Sequence, residues 1–246
     1  LPTRIPIHRT KCEGNGDTSA PPTAERMRVV VVRHGETDWN RNGRMQGHAP
    51  VPLNETGRSQ ADRVGRYLAA EYDIDAVASS DLLRTRETAE HILHYLDDVP
   101  TGFDRVWRER DLGVYQGLSH GDIHERFPEF ALGEASVKAA DQVPESGESL
   151  LELRDRVLTG WETLLGRADG TVLVVTHGGP IYMLLGHVKE LDVQTALLEH
   201  SQSNCGVNEF QYDGHKTRLC RENVTEWADD GATDIGGTNA DEWASE

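Results

Sequence analysis

Four consecutive valines, Val29-Val30-Val31-Val32, open the first strongly patterned stretch of the chain. A short unbroken run of β-branched residues predicts a strand covered on both faces, as in a parallel sheet. Ala76-Val77-Ala78 and Val172-Leu173-Val174-Val175 repeat that signal. Between these runs, apolar residues recur at helical spacing. One helix is predicted after Asn54, a good capping residue, with Ala61, Val64, Leu68, Ala69 and Tyr72 on its inner side. A second starts at Asp81 as its cap, burying Leu82, Ala89, Ile92, Leu93 and Leu96. A third covers 149–166, with Leu150, Leu153, Val157, Trp161, Leu164 and Leu165 in register. Gly178-Gly179-Pro180 opens a fourth directly after the last valine-rich strand. Near the end, two extended segments (206–212 and 216–221) flank Asp213-Gly214, a hairpin signal. Strands alternating with helices predict an α/β fold, a three-layer αβα sandwich around a mostly parallel sheet.

The ends lack such patterning. Residues 1–26 are rich in Gly, Pro, Thr and charge and read as a disordered N-terminal extension. Residues 225–246 read as an acidic flexible tail, which leaves 27–224 as the folded domain.

Charge narrows the partners. The chain carries 42 acids against 25 bases, a formal net charge of −17. Only Lys11, Lys138, Lys189 and Lys216 are lysines; the other bases are arginines. An acidic, lysine-poor surface argues against nucleic acid or anionic membranes as partners. It suits a halophilic protein, whose self-repulsion high salt would screen. No apolar run approaches the roughly 20 residues that span a bilayer, and no apolar leader opens the chain, so the expected compartment is the cytoplasm. Cys12, Cys205 and Cys220 are too scattered for a zinc site or a disulfide framework. Cys205 and Cys220 could face each other across the hairpin, but in a reducing compartment they read as small hydrophobes. Oligomeric state is left open.

The chemistry concentrates at two strand ends built alike. Val29–Val32 runs into Arg33-His34-Gly35, and Val172–Val175 runs into Thr176-His177-Gly178-Gly179. Ligands of open α/β sheets bind beyond the carboxyl ends of the strands, so neighbouring strands would bring both histidines into one pocket. No third ligand lies near them at metal-binding spacing. His120 and His124 are four apart, but they fall in a polar helix and read as solvated. Arg33 beside His34 points instead to phosphate, which a guanidinium fork suits.

Arg33-His34-Gly35-Glu36-Thr37-Asp38-Trp39-Asn40 resembles the signature of the histidine phosphatase, or phosphoglycerate mutase-like, superfamily. The likeness continues in family order through Gln46-Gly47, Pro52-Leu53-Asn54, Ser79-Ser80-Asp81-Leu82, Arg84-Thr85, Glu109, Gly147-Glu148-Ser149 and Thr176-His177-Gly178-Gly179. It implies that His34 is the nucleophile, held as a neutral imidazole, and that Arg33, Arg84 and His177 surround the phosphoryl oxygens. It further implies Glu109 as general acid and base, with Asp111 the runner-up. Asn40, Thr37, Gln46 and the helix-opening Gly178 are the implied phosphate- or substrate-binding residues. Glu36 is expected to be structural. No metal and no other cofactor is implied.

The family divides by what accepts the phosphoryl group: water in a phosphatase, a second substrate oxygen in a mutase. A mutase holds a bisphosphate and takes extra basic residues over the pocket. The segment 118–147 that would cover it holds only Arg126 and Lys138, without the adjacent arginine pair of phosphoglycerate mutases. Hydrolysis of a small phosphorylated metabolite is therefore the leading reading, with a cofactor-dependent phosphoglycerate mutase second. Against the mutase stands the lid; for it stands the likeness of Glu109-Arg110, Gly113 and Gln116-Gly117-Leu118 to the mutase version. Arg41, Arg44, Arg108 and Arg110 are candidates for a positive rim. An inactive binding module would have lost a core residue, and Arg33, His34, Arg84, Glu109 and His177 are all present. A nucleotide-dependent enzyme lacks both the lysine-bearing phosphate loop and the dinucleotide fingerprint.

Overall fold

Strand β1 (Met27–Arg33) lies deep in a six-stranded sheet, in a computed structural model that describes residues 27–127 and 140–228. After it come a short helix α1 (Asp38–Arg41), the long helix α2 (Glu55–Glu71), strand β2 (Ala76–Ser79) and helix α3 (Leu83–Leu93). Strand β3 (Thr101–Phe103) and helix α4 (His120–Arg126) lead to helix α5 (Leu150–Leu165). Strand β4 (Thr171–Thr176), helices α6 (Gly178–Lys189) and α7 (Val193–Leu198), and the hairpin β5 (Val207–Tyr212) and β6 (Thr217–Val224) complete the order. The sheet runs β3-β2-β4-β1-β5-β6: β1 to β4 are mutually parallel, and the hairpin joins through β5, which pairs antiparallel with β1. This is the mostly parallel sheet expected.

Alternation along the strands divides the core into two apolar layers. Val29 and Val31 of β1 join Val172 and Val174 of β4 on one face, under Leu153, Val157 and Trp161 of α5 and Ile181 and Leu184 of α6. Val30, Val32, Leu173 and Val175 face the other way, under Ala61, Val64 and Leu68 of α2 and Ala89 and Ile92 of α3. Both faces of the sheet are thus covered, which is why the valine runs do not alternate with polar residues.

Local signals act mostly as read. The Asn54 side chain accepts from Gly57 N–H at 2.8 Å and caps α2, and Ser149 forms a capping box with Glu152 at α5. Asp81 is the exception. The cap of α3 falls at Leu82, which makes no side-chain cap bond. The Asp81 carboxylate instead takes both arms of Arg108, at 2.6 and 2.7 Å. That charge-assisted pair holds its pKa below the ordinary value, and is stronger than a cap bond. Cys205 is a free, fully buried thiol whose pKa burial pushes up, so it does not pair with Cys220 across the hairpin.

The folded chain also runs four residues beyond the boundary expected at 224. Glu226–Ala228 form a 3-10 turn, and Trp227 is buried in the same apolar layer as α2. One aromatic side chain is enough to pin this segment, where no periodic pattern announces it. Gly57 seats the first turn of α2 on the loop after β1: a Cβ there would lie 2.0 Å from the Glu36 carbonyl oxygen. That contact holds the loop bearing His34 against the helix.

Candidate active site

β1 and β4 are direct neighbours in register, Arg33 opposite Thr176, so their following histidines leave the sheet side by side. The His34 N–H bonds the Thr176 carbonyl at 2.9 Å, and the two imidazole rings lie 5.2 Å apart at 59°. His34 Nδ1 is 2.7 Å from the Gly35 carbonyl oxygen. A carbonyl only accepts, so Nδ1 carries the proton and Nε2 the lone pair. That lone pair accepts from Arg84 Nε at 3.2 Å. Burial first, then the charges of Arg84 and Arg33, pull the His34 pKa well below 6.5, with the Gly35 bond opposing. His34 is therefore neutral at physiological pH.

Arg84 is fully buried on α3. Its remaining nitrogens donate to the carbonyls of Gly47, at 2.9 Å, and Ala49, at 3.3 Å. Burial lowers its pKa to about 10, partly offset by the Glu109 charge, so it stays cationic at neutrality. Thr88, one turn on, donates to the Arg84 carbonyl at 2.7 Å and accepts from Gly35 N–H at 3.1 Å, tying the nucleophile loop to the arginine helix. Arg33 is buried and donates to the Gln202 carbonyl, while its Nε has no partner among the described residues. His177 Nε2 pairs with the Ser80 hydroxyl at 2.8 Å, and its buried Nδ1 likewise lacks a described partner. Burial, Arg84, His34 and Arg33 lower the His177 pKa.

Glu109 approaches from the other rim. Its carboxylate accepts from its neighbour Arg110 N–H at 2.8 Å and from Gly179 N–H, in the first turn of α6, at 3.1 Å. Gly178 opens that helix, with His177 as its N-cap, so the helix terminus and the carboxylate share one corner of the site. The Glu109 carbonyl accepts from His48 Nε2 at 2.9 Å, and His48 Nδ1 lies 3.1 Å from the Asp111 carboxylate. Asp111 also accepts from Gly113 N–H at 2.9 Å. The runner-up acid is thus already engaged in holding its own loop.

Of the remaining sequence candidates, Thr37 and Asn40 form the capping box of α1: the Thr37 hydroxyl accepts from Asn40 N–H and donates to the Asn40 side-chain oxygen. Both functions of the Thr37 hydroxyl are used locally, which orients the Asn40 amide. Asn204 donates to the His34 carbonyl at 3.0 Å and reaches the Asn40 side-chain oxygen at 3.5 Å. Gln46 is buried beside Gly47, and its Oε1 has no partner among the described residues. Glu36 is structural, binding Arg41 at 3.1 Å and Asn54 at 2.7 Å. Arg41 and Arg108 are ion-paired and Arg110 is spent on the backbone carbonyls of Glu148 and Gln142, so a positive rim from these three is not formed. The covering segment is described only at its flanks; Lys138 lies outside the described residues.

A sequence profile of the histidine phosphatase superfamily, branch 1, matches residues 29–225. The chain belongs to this superfamily. Among its relatives, phosphoglycerate mutase-like protein 4 of Arabidopsis thaliana is 39% identical over 190 residues, covering 76% of this chain and 81% of its own. A metal-independent phosphoserine phosphatase of the same plant is 35% identical over 181 residues, 72% of this chain and 75% of its own. A solved structure of mycobacterial glucosyl-3-phosphoglycerate phosphatase superposes with a TM-score of 0.68 at 28% identity, covering 82% of this chain and 100% of its own. The phosphoglycerate mutase-like architecture expected from the motifs is therefore the architecture of this histidine phosphatase superfamily member.

Within this superfamily site, one backbone position sets where the Glu109 carboxylate sits. A Cβ on Gly179 would fall 2.1 Å from Glu109 Oε1. Gly179→Ala is expected to push the carboxylate aside by about 1 Å and lower kcat/KM for a phosphomonoester by about 10²-fold. Steady-state kinetics, with circular dichroism as the check on folding, measures it; unchanged kcat/KM would dissociate Glu109 placement from catalysis.

Proposed function

We propose that this chain is a phosphatase that hydrolyses a small phosphorylated metabolite through a phosphohistidine on His34. The observation carrying this reading is the Nε2 lone pair, fixed by Nδ1–H on the Gly35 carbonyl and set 3.2 Å from the Arg84 guanidinium. An incoming phosphate would take over Arg84, with the buried Arg33 Nε and His177 Nδ1 as further contacts for its oxygens. Nε2 then attacks phosphorus as the ester P–O bond breaks, and Glu109 delivers a proton to the leaving oxygen. In the second half, the Glu109 carboxylate takes a proton from water, whose oxygen attacks phosphorus. The P–N bond breaks, and inorganic phosphate and neutral His34 are regenerated.

No ion is needed for these steps. Arg33 and Arg84, both buried, bring positive charge to the His34 and His177 rings and would carry the phosphoryl charge. Water as acceptor is supported by the commitment of Arg41, Arg108 and Arg110 to other partners, which takes these three described bases away from a second phosphate. Names among the relatives, phosphoserine phosphatase and glucosyl-3-phosphoglycerate phosphatase, favour a phosphorylated metabolite of that size class. The mutase reading is kept alive by the 39% identity to a protein named mutase-like. Phosphorus NMR decides. With 3-phosphoglycerate and a trace of 2,3-bisphosphoglycerate in one tube and an aryl phosphate in another, inorganic phosphate should accumulate, EDTA leaving the rate unchanged. Conversion to 2-phosphoglycerate with little free phosphate would make it a mutase, and loss of turnover in EDTA restored by a divalent ion would remove metal independence.

A further inference from the structure

We infer that Asp62, His91 and His94 form a divalent transition-metal site that staples α2 to α3. Asp62 projects from α2, and His91 and His94 come from the last turn of α3 and its C-cap, three residues apart and so on one face. One ligand atom from each lies within 4.8 Å of the other two. His91 Nδ1 and Asp62 Oδ1 share a 2.9 Å hydrogen bond, whose proton an ion would replace while the two atoms spread to about 3.3 Å. The His94 ring stands 6.1 Å from the His91 ring at 75°, edge towards it. His94 is exposed, so its side chain can rotate to close the set.

The donors define the class of ion. Two imidazoles and one carboxylate suit zinc, nickel or copper, and lack the oxygen ligands that calcium or magnesium require. Both Asp62 and His91 keep partial solvent access, at 36% and 25% side-chain exposure, giving an ion a way in. The net charge of −17 favours cation approach over the molecule as a whole. His34 and His177 are poor competitors, because Arg33 and Arg84 already bring positive charge to them.

The staple lies away from the chemistry. His91 is two helical turns from Arg84, about 10 Å along α3. It would join the distal part of α3 to α2, while the Arg84 and Thr88 end of α3 and Gly57 at the start of α2 shape the phosphate site. The inference does not rest on the catalytic reading, since zinc uptake and phosphate release are measured separately.

The test is calorimetric titration of the full chain with zinc ion in chelator-free buffer at pH 7.5, paired with thermal unfolding. Wild type should take up one ion through this site, and at about a hundredfold excess over Kd its Tm should rise by about 5 °C. H91Q/H94Q should lose both the uptake and the Tm rise while keeping aryl phosphatase turnover, which certifies its fold; D62N should weaken uptake at least tenfold. No zinc uptake by wild type, or the same uptake and Tm rise in H91Q/H94Q, would overturn the site.

Discussion

Replacing His34 with alanine is expected to lower phosphate release by at least about 10⁴-fold, because the covalent path disappears altogether. Wild type mixed rapidly with a labelled phosphomonoester should yield a protein-bound label that is stable in base and lost in acid, as a phosphoramidate is. His34→Ala should yield none. The electrostatics sharpen this expectation. Burial and two guanidinium groups keep the His34 ring neutral, so its NMR resonances, and those of His177, should stay at their neutral positions at pH 6, where an ordinary histidine is largely protonated. The same shifts bear on stability. In the unfolded chain both rings bind protons below about 6.5, whereas the folded chain excludes them, so stability is full above that pH and falls as pH drops through it. Urea midpoints of His34→Ala should therefore fall less steeply between pH 6.5 and 5 than those of wild type. Turnover within tenfold of wild type, or label equally trapped in the alanine variant, would remove His34 as the phosphoryl carrier.

Much of this site could be read from the chain because its chemistry is carried by local patterns. The two valine runs ending in histidine and glycine place His34 and His177 at strand ends whatever the sheet order. Periodicity did not say that β4 sits between β2 and β1; that adjacency is a tertiary choice, and it is what brings the two rings to 5.2 Å. Partner choice was the weak point. Asp81 has a capping residue's chemistry and position, yet Arg108, 27 residues away, takes its carboxylate in a bidentate pair. Arg41 and Arg110 are as basic in sequence as any rim residue, but Glu36 and two backbone carbonyls claim them in the fold. Ser80 lay inside a recognised motif and Thr88 one helical turn beyond Arg84, neither with an assigned role, and only the geometry shows them fixing His177 and joining Gly35 to Arg84. Asn204 escaped because it follows the motif-bearing region by more than 20 residues. Its only signal was its place just ahead of β5, the strand that turns out to flank β1. Trp227 escaped for a similar reason: one aromatic in an acidic stretch makes no period.

Glu109→Gln should separate the two halves of the reaction. Glutamine keeps the size of the side chain and its carbonyl oxygen can still accept from Gly179 N–H, but it can neither give nor take the proton. For an alkyl phosphate the leaving alkoxide needs that proton, and turnover should drop by about 10²–10⁴-fold. An aryl phosphate with an acidic phenol leaves without help, so phosphoryl transfer to His34 should remain fast. Hydrolysis of the phosphohistidine still needs water deprotonated. The variant should then release one equivalent of phenol per site in a burst, followed by a slow steady rate, with labelled phosphoenzyme accumulating. Asp111 is the only other carboxylate proposed for this role, and one of its oxygens already accepts from Gly113 N–H. Asp111→Asn should accordingly show no burst and little dependence on the leaving group. A burst in Asp111→Asn and none in Glu109→Gln would transfer the acid–base role to Asp111, and the Glu109–Gly179 contact would then be a helix-capping bond alone.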